Sequence, residues 1–566
     1  MQKRMISLCL ILCVFFSVFA LASCGGEAPD EETAAPETAP ATDGTTEPES
    51  EATTDKWEAL APKVRTIVER DRTLRIECSI FKNATKASKN DIYLKGPDQI
   101  MDGVTPLIEQ MVYERNRAAD ELLGTTTEFV FWDLDFGKQA EPIDLAVKGK
   151  AADAPDLFVN MLNDLQKELV NAVFKDVLSI PNSFFDFSAE GWLEAWMLNL
   201  SFTGDRAYIL GSDYFLDVFR NVSLLPFNMT MMDENAAKLA GAILPEGETL
   251  GAGEKLTLYF FDLVDRGDWT WDVFGKLCEA IWVDENGDGQ DSITDTLGII
   301  ATEFGGDSAA GYLYSCGEQL TEAYPVIDPD SEYNGKQWVK YADDPTRLNL
   351  IFNKVKAVFD GPGSLSTSAN SHDGNTPENP GLAYHQTKFA AGELLFVGVH
   401  KLGALENEAF QEMDDLFSVV PCPKADVEKP YNSIIYNTGD AGAINVNCNP
   451  RKARVLSAYI QYCTENSPAI REQFLEIVTK YKTTTYDQGT DRMFDIIYDS
   501  ILWGRDYWVE GENMEPRWHT SMRQNHFAVG ADYISQLYES ARPSKQRLLD
   551  NLMEKWYTLP KVEDAE

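Results

Sequence analysis

The run Asp284-Glu285-Asn286-Gly287-Asp288-Gly289-Gln290-Asp291 sets oxygen-bearing side chains at alternate positions, with glycines between them. A hard cation needs that pattern from one short loop, because the donors converge only where the chain turns sharply. Asp284, Asn286 and Asp288 would give side-chain oxygens, and Gln290 its backbone carbonyl. Asp295 stands at the twelfth position, where such loops close on a carboxylate, with Asp291 as the alternative. A bare acidic turn is the plainer reading. The spacing favours structural calcium, an ion that pins a loop and does no chemistry.

The other reactive residues form no catalytic pattern. The sequence has no G-x-S-x-G, no H-E-x-x-H and no phosphate-binding G-x-x-x-x-G-K-[ST]. His372, His385, His400, His519 and His526 lack metal spacing, and carboxylate pairs can be drawn almost anywhere in so acidic a chain. No organic cofactor and no enzyme activity are expected. Cys78, Cys278, Cys316, Cys422, Cys448 and Cys463 contain no C-x-x-C pair, and several sit in apolar runs. Buried free thiols are the expectation, with disulfides left open.

Aromatic residues interleaved with polar ones carry a different chemistry. A flat ring stacks on the apolar face of a pyranose while Asp, Asn and Gln bind its hydroxyls. Trp192 and Trp196 are four apart and would share a helix face, and Trp503, Tyr507 and Trp508 cluster around Arg505 and Asp506. The alternative for each ring is core packing. Trp269 and Trp271 flank Thr270, which is placed to cap a helix running to Ile281, and these two are expected to pack.

The formal net charge is −42, which disfavours nucleic acid and anionic lipid as partners. At the start, Lys3 and Arg4 precede an apolar run to Ala20 and then Leu21-Ala22-Ser23-Cys24. A basic head, a short apolar stretch and small residues read as a secretory signal over 1–24. Leu-Ala-Ser-Cys resembles the lipobox of bacterial lipoproteins, which implies acylation of Cys24 and attachment to the outer face of the cell membrane. From Gly25 to Asp55 there is no Lys, Arg or aromatic residue, only small and acidic ones with Pro. Such a segment cannot bury enough apolar surface to offset its ordering entropy, so 25–55 is expected to be a disordered tether.

The elements that would position a site begin after it. A helix is expected over 57–70, and strands over Thr73–Phe81, Thr125–Trp132 and Pro155–Val159, with helices at Pro106–Leu123 and around Ile143–Val147 between them. That alternation predicts a parallel sheet with right-handed crossovers. Ligands of open α/β sheets sit beyond the carboxyl ends of the strands, which points to Asn83, Trp132, Asp133, Asn160 and Asn163. Further on, a helix is expected at Arg347–Phe359, a mobile loop at Gly361–Gly381, strands at Leu394–His400, Phe417–Pro421 and Gly442–Asn447, and a helix at Pro450–Asn466. No segment after the leader approaches a membrane span, and there are no repeats.

In this order, the features resemble the family 1 extracellular solute-binding proteins of sugar importers. The blocks are Tyr113-Glu114-Arg115-Asn116-Arg117, Phe187–Trp192, Gly204–Asp213, Trp269-Thr270-Trp271-Asp272, Asp284–Gly298, Phe389–Phe396, Phe417–Pro423, and Asn432-Ser433 after Tyr431. In the acidic loop, Asp295-Thr296-Leu297-Gly298 is shifted against the family pattern. The resemblance implies an α/β, type 2 periplasmic-binding-protein-like fold, two α/β lobes with a ligand cleft between them. It implies a first lobe of 56–180 plus 441–486, a second of 187–430 plus 492–566, and hinge crossings at 181–186, 431–440 and 487–491. It adds Asp213 and Tyr431 to Trp192, Trp196, Trp503 and Trp508 as candidate ligand contacts. It further implies a monomer that passes a small solute, an oligosaccharide above all, to an ABC permease. The competing readings are a secreted carbohydrate-active enzyme and a non-transport ligand sensor or adhesin of the same fold.

Overall fold

The computed structural model describes residues 50–68, 72–81, 90–135, 138, 140–150, 153–302, 311–312, 314–317, 319–367, 375–376, 379–380, 382–398, 400–483, 487–501, 505 and 533–559. The signal segment, Cys24, most of the tether, Asn83, Trp503 and Trp508 lie outside the described residues.

Helix α1 (Ser50–Val68) starts earlier than the expected tether boundary allows, so residues 50–55 are helical. It leads into β1 (Thr73–Phe81), where Leu74, Ile76 and Cys78 alternate into the core as the sequence predicts. Helix α2 (Leu107–Leu123) ends on Gly124, whose positive φ of 74° supplies the left-handed cap. Next come β2 (Thr126–Leu134), α3 (Ala140–Lys148), β3 (Leu157–Met161) and α4 (Leu162–Leu169). The first sheet has its strands in the order β10, β3, β1, β2, where β10 is Asp440–Ile444. β1 pairs in parallel with β2 and β3, whereas β10 runs antiparallel beside β3. The sheet is therefore mixed, and β10 starts two residues before the expected Gly442.

The second sheet is built from β4 (Ser223–Asn228), β5 (Leu297–Thr302), β6 (Ser364–Thr367), β7 (Leu394–Val397), β8 (His400–Lys401) and β9 (Phe417–Val420). β7, β5 and β6 are parallel neighbours, while β4 pairs antiparallel with β7, β8 and β9. Residues Ser364–Thr367 thus belong to a sheet, although a loop was expected over Gly361–Gly381. Helices Trp271–Ile281 and Thr346–Phe359 cover this sheet. Thr270 occupies the cap position of the first of these, but its side chain makes no capping hydrogen bond.

From Thr53 onward the chain is one compact unit holding both sheets. The three expected crossings differ in what they do in the fold. Residues 181–186 run along the helix Pro450–Glu465: Phe184 N donates to Ser457 Oγ at 2.9 Å and Asp186 N to Gln461 Oε1 at 2.8 Å. The segment after them still belongs to the first sheet, because Leu210 and Gly442 exchange backbone hydrogen bonds. Gly442 has no room for a side chain there, since a Cβ would lie 2.4 Å from the Phe215 ring. The first passage comes after the short helix Leu216–Arg220, where Val222 bridges Ile435 in antiparallel fashion. Residues 431–440 form the return passage, and 487–491 are the first turn of the helix Asp487–Asp499.

Candidate functional site at the carboxyl edge of the first sheet

Both sheets end at the same passages. In the first sheet, Met161 at the carboxyl end of β3 pairs with Asp440 at the start of β10, directly after the return passage. In the second, the chain leaving the carboxyl end of β7 re-enters the sheet at β8, whose His400 and Lys401 pair with Leu224 and Ser223 beside the first passage. The carboxyl ends of the parallel strands of both sheets therefore lie on the side where the chain crosses. That is where open α/β sheets hold ligands.

The described residues at the first sheet's edge form a row. Ser79 on β1 pairs with Trp132 on β2. One step beyond the paired Cys78 and Val159, Ser79 also stands beside Asn160 on β3, which pairs with Ala441. Because side chains alternate, Ser79, Trp132, Asn160 and, two residues back, Glu77 share one face. Trp132 is half-buried, its ring 6.0 Å from that of Phe158. Asn160 is fixed: Oδ1 accepts from Met161 N at 2.9 Å and Nδ2 approaches Glu77 Oε2 at 3.5 Å. Glu77 and Ser79 are fully buried, and Glu77 Oε1 and Ser79 Oγ have no hydrogen-bond partner among the described residues. Burial pushes the Glu77 carboxyl well above the usual range, and the nearby Asp164 carboxylate adds to the rise. Asn163 follows on the first turn of α4, where its backbone N–H donates to Asn437 O at 2.8 Å.

The opposite face and the passages carry a charged network. Asp440 accepts from Asn90 Nδ2 at 2.8 Å, and its own N–H donates to Asp217 Oδ2 at 3.1 Å. Arg220 donates to both Asp217 and Glu406, and the Tyr93 hydroxyl donates to Glu406. Burial, with the Glu406 carboxylate beside it, drives the Tyr93 phenol far up from its ordinary value.

Of the expected ligand contacts, Trp132, Asp133, Asn160 and Asn163 fall together at this edge. The others do not. Trp196 is fully buried against Gly211, and Trp192 is buried with its Nε1 on Gln461 Oε1 at 3.0 Å. Only Trp196 is helical, in Glu194–Leu200, so the two rings do not share a helix face. Asp213 is buried and ion-paired with Arg471 at 2.7 Å. Tyr431 is buried, its hydroxyl donating to Val264 O at 2.7 Å. All four are buried away from this edge. Glu77 and Ser79 were missed; the available signal was a polar series, Arg75, Glu77 and Ser79, on the side of β1 facing away from Ile76 and Cys78.

The acidic loop is folded by its own side chains. Asp284 accepts from Gly287 N and Gly289 N at 2.6 and 2.7 Å, and Asp288 Oδ1 from Gln290 N at 2.8 Å. Asp295, expected to close a cation site, is buried, and its oxygens accept from Ser292 N at 2.8 Å and Glu285 N at 3.2 Å. Among the described residues no group of three or more His, Cys, Asp or Glu is arranged to hold a metal ion. Asp284, Asn286, Asp288 and the Gln290 carbonyl remain as oxygen donors on one exposed turn.

A polar cavity lined by Arg75, Asp156, Asn445 and Lys452 lies at the other end of the first sheet, at the amino ends of β1 and β3. Its basic groups are engaged, Lys452 with Asp156 at 2.7 Å and Arg75 with Glu128 at 3.1 Å. Among the described residues no helix is long and apolar enough to cross a membrane.

No protein-family model and no curated protein sequence matches the chain. Solved structures similar to it include the GacH receptor of Streptomyces glaucescens, with 11% identity over 84% of this chain and 98% of that one, at a TM-score of 0.47. The sugar-binding protein MalE of Xanthomonas citri is 10% identical over 85% and 99%, at 0.49. A family 1 extracellular solute-binding protein of Bifidobacterium longum subsp. infantis is 12% identical over 86% and 99%, at 0.44.

Proposed function

We propose that the chain is a non-catalytic solute-binding lipoprotein, held at the outer face of a bacterial cell membrane through Cys24. It captures a small neutral solute, an oligosaccharide above all, and delivers it as a monomer to an ABC permease. The observation that carries this reading is the shared passage. Two α/β sheets turn the carboxyl ends of their parallel strands toward the same two crossing segments, so one ligand can touch both and couple their relative position to binding. The half-buried Trp132 beside Ser79 and Asn160 is the ring-and-hydrogen-bond arrangement that suits a sugar. The leader and the acidic stretch after Cys24 supply export and reach. The acidic loop takes a structural calcium ion through Asp284, Asn286, Asp288 and the Gln290 carbonyl.

The test is thermal melting of the exported, mature protein against a panel of neutral mono- and oligosaccharides. A ligand bound only by the folded state raises the midpoint, by about 2.7 kcal/mol of stability at a hundred times its dissociation constant. Sugars recovered intact after long incubation agree with a receptor, whereas cleaved products establish an enzyme. A panel without a single stabilising sugar refutes the carbohydrate assignment.

A further inference from the structure

Glu77 is the least expected residue of the first sheet. It sits in the middle of β1, with neighbouring strands on both sides, and is fully buried. An acid in such a place normally finds a cation or a full set of hydrogen bonds, because stripping water from it is otherwise costly. Its one side-chain partner is Asn160 Nδ2, at 3.5 Å, the outer limit of a hydrogen bond, and Oε1 has none among the described residues. Two residues on, Ser79 repeats the anomaly with an unpartnered buried hydroxyl. A Met and an Ala would fill the same space and bury neither an unsatisfied carboxyl oxygen nor an unsatisfied hydroxyl, at the cost of only the long 3.5 Å contact to Asn160 Nδ2, so packing alone does not account for either residue.

Their position does. Glu77 and Ser79 share a face with Trp132 and Asn160, and Ser79 lies in the same row as both, at the edge where the chain passes between the sheets. We propose that Glu77 is a positioning residue of the ligand site, holding the Asn160 amide and, with Ser79, keeping hydrogen-bonding capacity in reserve for a hydroxyl of the solute. This deepens the reading of the chain as a sugar receptor and rests on it. Retaining an uncompensated polar group where an apolar one would fit is the signature of a site that trades stability for recognition. A carboxyl suits that role, because its unpartnered oxygen can accept from a neutral hydroxyl.

The experiment uses the full mature chain and two variants, Glu77→Met and Glu77→Gln, each measured for melting temperature and for calorimetric affinity toward whichever panel sugar stabilises the wild type. Glu77→Met is expected to melt at a higher temperature than the wild type and to bind that sugar at least about tenfold more weakly, one lost hydrogen bond to a buried polar group. Glu77→Gln, which keeps a donor and an acceptor, is expected to bind within about threefold of the wild type. A lower melting temperature for Glu77→Met makes Glu77 a structural residue and overturns the proposal. Wild-type affinity in Glu77→Met overturns it too. Failure of the functional reading shows instead in the wild type, as no stabilising sugar, and removes this inference with it.

Discussion

Tyr93 and Glu406 come from opposite sheets' layers and meet, the phenol donating its proton to the carboxylate. Tyr93 lies on a π-helical turn, Asp91–Lys95, that packs on β1 and α2, whereas Glu406 ends the short helix after β8. Arg220, from the helix just before the first passage, joins them: its guanidinium pairs with Glu406 and Asp217 and sits 4.9 Å from the Tyr93 ring centroid. The three side chains tie the two layers together where the chain crosses.

Removing the cation should therefore cost far more than removing the phenol. Arg220→Met leaves Asp217 and Glu406 beside each other without a counter-charge, and is expected to lower the unfolding free energy by about 3–5 kcal/mol. Tyr93→Phe removes one hydrogen bond and is expected to cost about 1 kcal/mol. Urea titration of the two variants checks the ranking, and equal midpoints would disprove it.

The C-terminal helix is a second tie. Tyr533–Thr558 packs on Thr346–Phe359 and on the hairpin Thr321–Pro325 with Gln337–Tyr341, all beside the second sheet. Its end reaches the first sheet's layer: Trp556 is edge-on to Phe202 and Tyr208 at 4.9 and 5.3 Å, and Arg206 Nη1 donates to Trp556 O at 3.0 Å. Trp556→Ala is expected to cost about 3–5 kcal/mol. Hydrogen exchange should speed up at Ala207 and Leu210, whose amides bind Asp176 and Gly442. Unchanged protection there would show that the helix end is not coupled to the first sheet.

Acid should act through His385. It is buried in the helix Leu382–Ala390, Nε2 has no hydrogen-bond partner among the described residues, and burial, with Lys388 next in effect, lowers its pKa to about 4. The unfolded chain then binds a proton that the folded one refuses. Stability contributed by the neutral ring is complete above the unfolded value of about 6.5 and is lost as pH falls toward 4, up to about 3 kcal/mol. In His385→Phe this loss between pH 6.5 and 4 should vanish, measured as the pH dependence of the urea midpoint. A variant that keeps the wild-type slope would show that other groups carry it.

Calcium at the acidic loop is read by melting as well. Calcium at millimolar concentration should raise the midpoint, a chelator should reverse it, and Asp284→Ala should abolish the response by removing a donor and the acceptor of the Gly287 and Gly289 amides. An identical melt with chelator and with calcium leaves a simple acidic turn.

Local periodicity made much of this legible. Leu74, Ile76 and Cys78 announce β1, and the helices at Leu107–Leu123 and Pro450–Glu465 start and stop within a residue of their sequence signals. What the pattern does not carry is which polar face meets water. Arg75, Glu77 and Ser79 form the polar side of β1's alternation, yet Glu77 and Ser79 are fully buried in a strand with neighbours on both sides. The same blindness affects the aromatics: Trp192 and Trp196 have the spacing of a sugar platform but fill the space beside Phe187 and Gly211. Nor does anything in 181–186 record that Leu210 still pairs with Gly442 far along the chain.

The six cysteines of the described body are buried thiols outside any disulfide. Desolvation raises the thiol pKa values of Cys278, Cys316 and Cys463 to about 12, so these three present no reactive thiolate at neutral pH. Under the export proposed for it, the polypeptide can then mature without an oxidoreductase and without risk of mispaired bridges, in aerated or anoxic surroundings alike. Each sulfur also serves as a silent clock, since an alkylating reagent reaches it only when the surrounding structure opens.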